Sequence, residues 1–350
     1  MITEATRRRF AELEELVTDS SAPDGRWLVL THDNPDPDAL ASASVLARLL
    51  RQGFGQRVTC AYGGIIGRAE NREMVRILKL EFSHLRHLSF SNYSRFALVD
   101  TQPRTGNNQL PEEVTPDLVF DHHPLRKATR SVPFFDVRTE YGATATFLSE
   151  YLAAAEVEPT RALATAVVYA IRSETQDFRR ESAGPDKKLY DEFLPLITKR
   201  DLAKIQFSRQ PLEYFRTLHQ ALENLHSVDT LVVSHLTAVE QPDIVPEIAD
   251  LLLRLEGKTW SLVTGLFDDR VYLSIRTTNI RADAGRIMRK LVNRDGKGGG
   301  HGMIAGGWVA ITDRFADDPR KLQETLARRL AKELSKDPAK LQPLELEPPG

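Results

Sequence analysis

The 350-residue chain contains one cysteine, Cys60. A lone thiol excludes an intramolecular disulfide, so the fold depends on no oxidising compartment. Arg57–Tyr62 around it reads as a strand, which makes Cys60 a small buried apolar residue. Long hydrophobic runs are also missing. No stretch approaches the roughly 20 apolar residues of a membrane-spanning helix. The opening Met1–Arg9 lacks the apolar core of a secretory signal and continues as an amphipathic helix. A cytoplasmic protein with no membrane partner is the expectation. There is no excess of charge of one sign either: 47 Lys and Arg face 49 Asp and Glu, for a formal net charge of −2. That excludes a general polyanion-attracting field and leaves room only for a local basic groove. No internal repeat is visible. The composition, 41% hydrophobic and 27% charged, is that of a globular protein long enough for two cores.

The first half alternates strand and helix signals. Trp27–Thr31, Arg57–Tyr62, Phe96–Asp100 and Asp117–Asp121 read as strands. Helices are expected at Asp38–Arg51, Glu70–Leu78, Ala143–Ala155 and Thr160–Arg172. This alternation predicts an α/β fold, a mostly parallel sheet flanked by helices on both faces. Residues 184–226 look helical and charged and read as a connector. A smaller α/β C-terminal lobe follows over 227–335, with strands at Thr230–Val233, Trp260–Val263, Arg270–Arg276 and Val309–Ile311. Helices are expected there at Asp283–Leu291 and Pro319–Leu334, and residues 336–350 read as a loose Pro-rich tail.

Two short runs carry the chemistry. His32-Asp33-Asn34-Pro35-Asp36-Pro37-Asp38 follows the first strand, and Asp121-His122-His123-Pro124 ends the fourth. With Asp100 they place carboxylates and imidazoles at or just after strand carboxyl ends, where open parallel sheets bind ligands. Such donors suit a pair of divalent cations, and one shared carboxylate would bring two ions roughly 3.5–4 Å apart, close enough to act on one phosphoryl group. The plainer alternatives are an N-cap role for Asp38 and a salt bridge from Asp100 to Arg104. His122 and His123 are adjacent, so their side chains diverge. One is expected to ligate while the other orients substrate or supports the site from behind, with Asp121 fixing the tautomer of the first histidine.

Asp121-His122-His123 resembles the signature triplet of the DHH phosphoesterase superfamily, of RecJ-like type. His32–Ala39 resembles its first motif, Asp100 its second, and Gly298-Gly299-Gly300-His301 the motif of the DHH-associated C-terminal domain. The resemblance implies a catalytic domain over 1–183 and a substrate-binding domain over 227–335, with two Mn²⁺ ions between the lobes (Mg²⁺, Co²⁺ or Zn²⁺ as alternatives). His32, Asp36 and Asp100 would hold one ion. Asp38, Asp100, His122 and the fourth-motif carboxylate would hold the other, with His123 and Asp121 close behind. His301 and a basic residue such as Arg276 would bind phosphate. In the fourth motif Glu174 stands where the family has aspartate, a longer side chain that puts the second ion's affinity in doubt.

The glycine run reads as a loop whose amides approach an anion, with Gly299, Gly300, Arg276 and Arg281 contributing and Lys297 either helping or merely solvated. A second glycine loop, Gly63–Arg72, offers Arg68 and Asn71 to a nucleotide or is simply structural. The resemblance implies hydrolysis, by a metal-activated water, of short single-stranded oligonucleotides or of small nucleotides such as adenosine 3′,5′-bisphosphate. The alternatives are a cyclic or linear dinucleotide phosphodiesterase, or a weakly active nucleotide-binding regulator marked by Glu174. A homodimer is also consistent with the family.

Overall fold

The computed structural model describes residues 2–19, 25–178 and 184–344, with the side chains of His301 and Arg314 left aside. The 179–183 junction, where the catalytic domain was expected to end, and tail residues 345–350 lie outside the described residues. Two units divide the chain, Met1–Ser208 and Arg209–Gly350.

The first unit begins with α1 (Glu4–Thr18), capped by the Thr3 hydroxyl. Strands β1 (Arg26–Leu30), β2 (Arg57–Tyr62), β3 (Phe82–His84), β4 (Arg95–Val99), β5 (Leu118–Asp121) and β6 (Phe134–Val137) form one sheet. Its order is β3-β2-β1-β4-β5-β6, with every pair parallel. Helices α2 (Pro37–Arg48), α3 (Ala69–Leu78), α4 (Thr144–Ala154), α5 (Arg161–Thr175), α6 (Gly184–Phe193) and α7 (Lys199–Gln206) complete it.

The sheet is parallel and flanked by helices, as expected, but the helices gather on one face. There Trp27, Val29, Val99 and Phe120 pack against Leu40, Leu46, Phe147 and Val167. The opposite face packs Leu28, Leu30 and Leu98 against Leu85, Tyr93, Leu110 and Val132, from short turns and loops. The reason is local: the connections after β4 and β5 carry Pro103, Gly106, Pro111, Pro116 and Pro124, which stop helices. The strands are apolar on both faces, so their sequences run continuously hydrophobic. Helix α2 is buried almost all round, and its Ala39, Ala41, Ser42 and Ala43 let neighbours approach closely. Cys60 is buried, and burial pushes its thiol up to about 12.

The second unit contains α8 (Leu212–Glu223), β7 (Leu225–Val228), β8 (Leu231–Ala238), α9 (Ile244–Leu252), β9 (Trp260–Phe267) and β10 (Arg270–Thr277). It continues with α10 (Ala284–Val292), β11 (Gly296–His301), β12 (Ile304–Ala310), α11 (Pro319–Glu333) and β13 (Gln342–Pro343). The sheet order is β11-β12-β10-β9-β8-β7-β13. Strands β8 and β9 are parallel and the other pairs antiparallel. Val271, Leu273 and Ile275 pack under α10 and α11, while Val232 and Val263 pack under α8 and α9.

Three expectations change. The connector over 184–226 is shared out: α6 and α7 belong to the first unit, α8 to the second. Their apolar faces decide this, since Leu189, Phe193, Leu202 and Ile205 join the first core and Ala221 joins the second. The tail is not loose throughout, because Gln342 and Pro343 pair with β7. The glycine run is not a loop but strand β11, held by its register with β12.

Candidate metal centre

The strand order reverses between β1 and β4. Loops leaving the carboxyl ends there part to either side and open a crevice. His32 follows β1, Asp100 follows β4, and Asp121 ends β5. Asp100 adopts a left-handed backbone (φ 57°), which aspartate tolerates better than most residues, and its N–H donates to the Phe120 carbonyl. Its carboxylate faces two imidazoles: Oδ2 lies 3.5 Å from His32 Nε2, and Oδ1 lies 3.5 Å from His122 Nε2.

Two groups of ligating atoms result. His32, Asp36 and Asp100 form one, and Asp100, His122 and His123 the other; within each, the atoms lie within 4.8 Å of one another. Asp100 belongs to both. Behind the ligating edge, His32 Nδ1 meets the Asp33 carbonyl at 2.8 Å and His122 Nδ1 meets the Tyr141 carbonyl at 3.2 Å. A carbonyl only accepts, so Nδ1 carries the hydrogen and Nε2 is the ligating nitrogen.

Asp121 does not orient His122, as expected, but His123. His123 Nδ1 lies 2.8 Å from Asp121 Oδ1, and the His123 N–H donates to the same oxygen. A two-residue offset at a strand end puts both side chains on one side. Asp121 is itself held by Gln102, which is buried; its Nε2 donates to Asp121 Oδ2 and its Oε1 accepts from the Arg126 N–H and the Thr129 hydroxyl. Gln102 and the Tyr141 carbonyl escaped sequence reasoning. The only signal for Gln102 was its place two residues after Asp100, and a main-chain carbonyl leaves none.

The capping roles fall out differently too. Asp36, not Asp38, caps α2, accepting from the Asp38 and Ala39 N–H groups at 3.0 Å. Asp38 is buried and accepts at the start of α4, from Thr144 N–H at 2.7 Å and Ala145 N–H at 2.9 Å. It lies 3.9 Å from His122 Nε2 but belongs to neither close group. No Asp100–Arg104 pair forms; Arg104 donates to the Glu112 carbonyl instead. Glu174 sits in the last turn of α5 and shares the electrostatic field of Asp36, His122, Asp100 and His123.

The charges show what the site requires. Burial, then the charges of Asp100, Asp36 and Glu174, hold the Asp38 carboxyl well above the usual range. Burial and the Asp36 charge likewise raise Glu174. Burial works against a proton on His32, yet Asp100 and Asp36 win, and its imidazole is held well above its ordinary value. For His123 burial is again outweighed, here by Asp121, Asp100 and Glu174, and the ring is pushed up to about 10. Burial would raise Asp36 and Asp121, but His32 holds the first below the usual carboxylate range and His123 lowers the second. Crowded buried carboxylates thus draw protons onto neighbouring imidazoles for want of another positive charge. Oxygen donors with a few imidazole nitrogens are the ligand set of Mn²⁺ and its neighbours, so these residues fit divalent cations.

A proton-linkage prediction follows. A protonated ring cannot ligate, so cation binding must expel protons from His32 and His123. Affinity should therefore rise with pH toward the raised imidazole values and fall as pH drops. Calorimetric titration of Mn²⁺ at pH 7 should give different apparent enthalpies in buffers of different ionisation enthalpy. Identical enthalpies would show that both rings are already neutral.

The expected phosphate-binding residues are more scattered. Arg276, in β10, is buried, with Nε 2.9 Å from Asp250 Oδ1 and Nη1 donating to the Ser274 hydroxyl. Those contacts tie it into its own unit. Arg281 is exposed after β10, Gly299, Gly300 and His301 lie in β11, and Arg68 is the N-cap residue of α3.

Residues 26–171 match the sequence model of the DHH family, N-terminal domain, and residues 229–332 match that of the DHHA1 domain. The chain belongs to the DHH family. An uncharacterized protein of Methanocaldococcus jannaschii is 34% identical over 330 residues, 92% of this chain and 66% of that protein. A probable manganese-dependent inorganic pyrophosphatase of Listeria welshimeri is 27% identical over 177 residues, 51% of this chain and 57% of that one. This DHH protein therefore spans just under two thirds of the first relative's length and little more than half of the second's. A crystal structure of an exopolyphosphatase-related protein from Bacteroides fragilis shares the fold, with a TM-score of 0.71 at 14% identity over 95% of this chain and 97% of that one. Among the described residues no helix is long and apolar enough to cross a membrane.

Proposed function

We propose that this DHH protein is a divalent-metal-dependent phosphoesterase acting on short single-stranded oligonucleotides or small nucleotides, with Mn²⁺ the best-fitting ion. The observation that carries the reading is the pair of ligand groups sharing Asp100. Bound cations would supply Lewis acidity toward a phosphoryl oxygen and acidify water. The protein's own part is positional. Main-chain carbonyls hold His32 and His122 with Nε2 toward Asp100, and Asp121 holds His123 beside them. His123, tied through Nδ1 to Asp121, would serve with Asp100 and His122 as a ligand once its extra proton is expelled. The name of the Listeria relative supports manganese, while the DHHA1 match over 229–332 and the Gly-Gly-Gly-His run favour a nucleotide over pyrophosphate.

Product analysis tests the reading. Purified protein with Mn²⁺ should be offered adenylate dimers to long oligomers, cyclic dinucleotides, adenosine 3′,5′-bisphosphate and pyrophosphate. Mononucleotide or phosphate release that chelator stops, and that an Asp121→Ala, His122→Ala double variant lacks, is the expected result. Binding without turnover on the whole panel would favour a nucleotide-binding regulator. Rescue of turnover by Glu174→Asp would then assign the loss to the fourth motif.

A further inference from the structure

Residues 184–226 show no chemistry as a sequence, yet α6 carries Asp186 in its first turn, 0% exposed. Asp186, Leu189 and Phe193 stand at i, i+3 and i+7, which is one face of a helix. Leu189 and Phe193 seat that face in the first core. A carboxylate therefore occupies a position where the stripe calls for an apolar side chain. Burying a charge is costly unless its oxygens are hydrogen-bonded. Asp186 lies between the segments that match the two family domains, 26–171 and 229–332.

Its hydrogen bonds lead to the metal centre. Oδ2 accepts from the Gly142 N–H at 2.8 Å, and Oδ1 accepts from the Thr146 hydroxyl at 2.6 Å. The Gly142 N–H and the Tyr141 carbonyl belong to one planar peptide group and point in opposite directions. That carbonyl accepts from His122 Nδ1 at 3.2 Å, and His122 Nε2 lies 3.5 Å from Asp100 Oδ1. Carboxylate, peptide, imidazole and Asp100 thus follow one another, all of them buried. In such a chain each hydrogen bond polarises the next. A negative charge at the N–H end enriches the carbonyl oxygen. The carbonyl then grips Nδ1–H more firmly, and Nε2 becomes a stronger electron donor to a cation. His32 offers the contrast. Its Nδ1 meets the Asp33 carbonyl, but the N–H of that peptide, on Asn34, donates to the neutral Gly63 carbonyl at 3.1 Å.

We propose that Asp186 is a positioning residue for His122, acting through the Tyr141–Gly142 peptide. It fixes the tilt of the peptide plane, and so the place of the carbonyl that holds the imidazole, and it lends that carbonyl negative charge. The arrangement is the carboxylate–histidine pairing found behind metal-bound imidazoles, with one peptide group interposed. The inference rests on the divalent-metal reading of the site and adds what sets one of its ligands in place.

Asp186→Asn in the full chain tests this. The asparagine oxygen can accept from the Gly142 N–H and its amide can donate to the Thr146 hydroxyl, so the shape stays and the charge goes. In metal-free protein with isotope-labelled histidine, the His122 Nδ1–H proton resonance, identified by its loss in His122→Gln, should move upfield as its hydrogen bond weakens. The His32 resonance should stay in place. By calorimetric titration, Mn²⁺ affinity should fall about tenfold, the low end of the range for removing a group behind a ligand. Asp186→Ser, which can hold a water against the Gly142 N–H, repeats both readouts should the asparagine variant not fold. Thr146→Val breaks the other bond of the same carboxylate and is the structural control. It should lower Tm while leaving the His122 resonance and the Mn²⁺ affinity near those of the native protein. An unmoved His122 resonance or an unchanged Mn²⁺ affinity in Asp186→Asn overturns the proposal. So does a Thr146→Val protein that shifts both as far as Asp186→Asn does, which would reduce Asp186 to a tie between α6 and α4. If the native protein binds Mn²⁺ and hydrolyses its substrate while Asp186→Asn binds the ion equally well, the positioning role fails and the phosphoesterase reading stands. A native protein that binds no divalent cation ends both.

Discussion

Asp100→Asn is expected to weaken Mn²⁺ binding by more than about a hundredfold, beyond the ten- to hundredfold typical of removing a residue that only supports a ligand. Asp100 is the one residue common to both ligand groups, so the substitution damages both at once. Its Oδ1 also accepts from the Thr144 hydroxyl at 3.1 Å, and asparagine can keep that bond. The metal-free variant should not be less stable than the native protein. After burial, the Asp100 charge is the largest of the influences that raise Asp38, and removing it relieves that repulsion. The signature is therefore a split. Without metal, Tm holds or rises. With saturating Mn²⁺, the native protein gains stability, by about 2.7 kcal/mol at a hundredfold excess over Kd, and the variant does not. Equal Mn²⁺ stabilisation of both proteins would remove Asp100 from the centre. Asp100→Asn should also abolish any turnover found with the substrate panel.

Asp136→Ala should cost about 3–5 kcal/mol of unfolding free energy, the usual consequence of stranding one partner of a buried ion pair. Asp136 in β6 grips Arg138 through three contacts of 2.6–3.1 Å and accepts from the Tyr151 hydroxyl at 2.6 Å. Arg138 is 5% exposed and lies over the Phe147 ring at 5.0 Å. Glu150 closes the network, taking hydrogen bonds from Thr3, Thr6 and Tyr141. An apolar replacement of both partners removes the stranded guanidinium, while Glu150, 3.7 Å from Arg138, loses its cation but keeps its three hydroxyl hydrogen bonds, so an Asp136→Leu, Arg138→Met double variant should recover part of the loss. Denaturant unfolding measures both. A single-variant cost under about 1 kcal/mol would mean that water reaches Arg138 and that the pair is effectively a surface one. The network also reaches the metal centre. The Arg138 N–H donates to the Asp121 carbonyl, and the Tyr141 carbonyl holds His122. Metal affinity should fall along with stability.

Much of this was open to sequence reasoning because the relevant signals are local. Strand β2 and helices α3, α4 and α11 fall within a residue of their expected ends or nearly so, since apolar runs and turn residues mark them. Strands β3, β6 and β7 were missed; they have three or four residues each, too few to show a period. Strand β11 was taken for a loop because glycine carries no strand signal, and only its register with β12 makes it one. The family resemblance assigns His32, Asp36 and Asp100 to one ion, and the fold brings their ligating atoms within 4.8 Å of one another. The partner of Asp121, and the main-chain amides that Asp36 and Asp38 accept from, were not anticipated.

The sequence by itself determined which side chains can bind a cation and that they stand at strand ends, because donor chemistry is a property of residue type and strand ends are marked locally. It also determined the parallel α/β class, through strands apolar on both faces alternating with helices. Only the tertiary structure decided that β1 and β4 are neighbours, which brings His32 to Asp100 across 67 intervening residues. It alone turned Asp38 toward the amides of α4, aimed Asp121 at His123, and laid Gly299 beside Gly306. Each of these depends on the direction in which one backbone meets another distant in sequence, and that direction is set by packing rather than by any short run of residues.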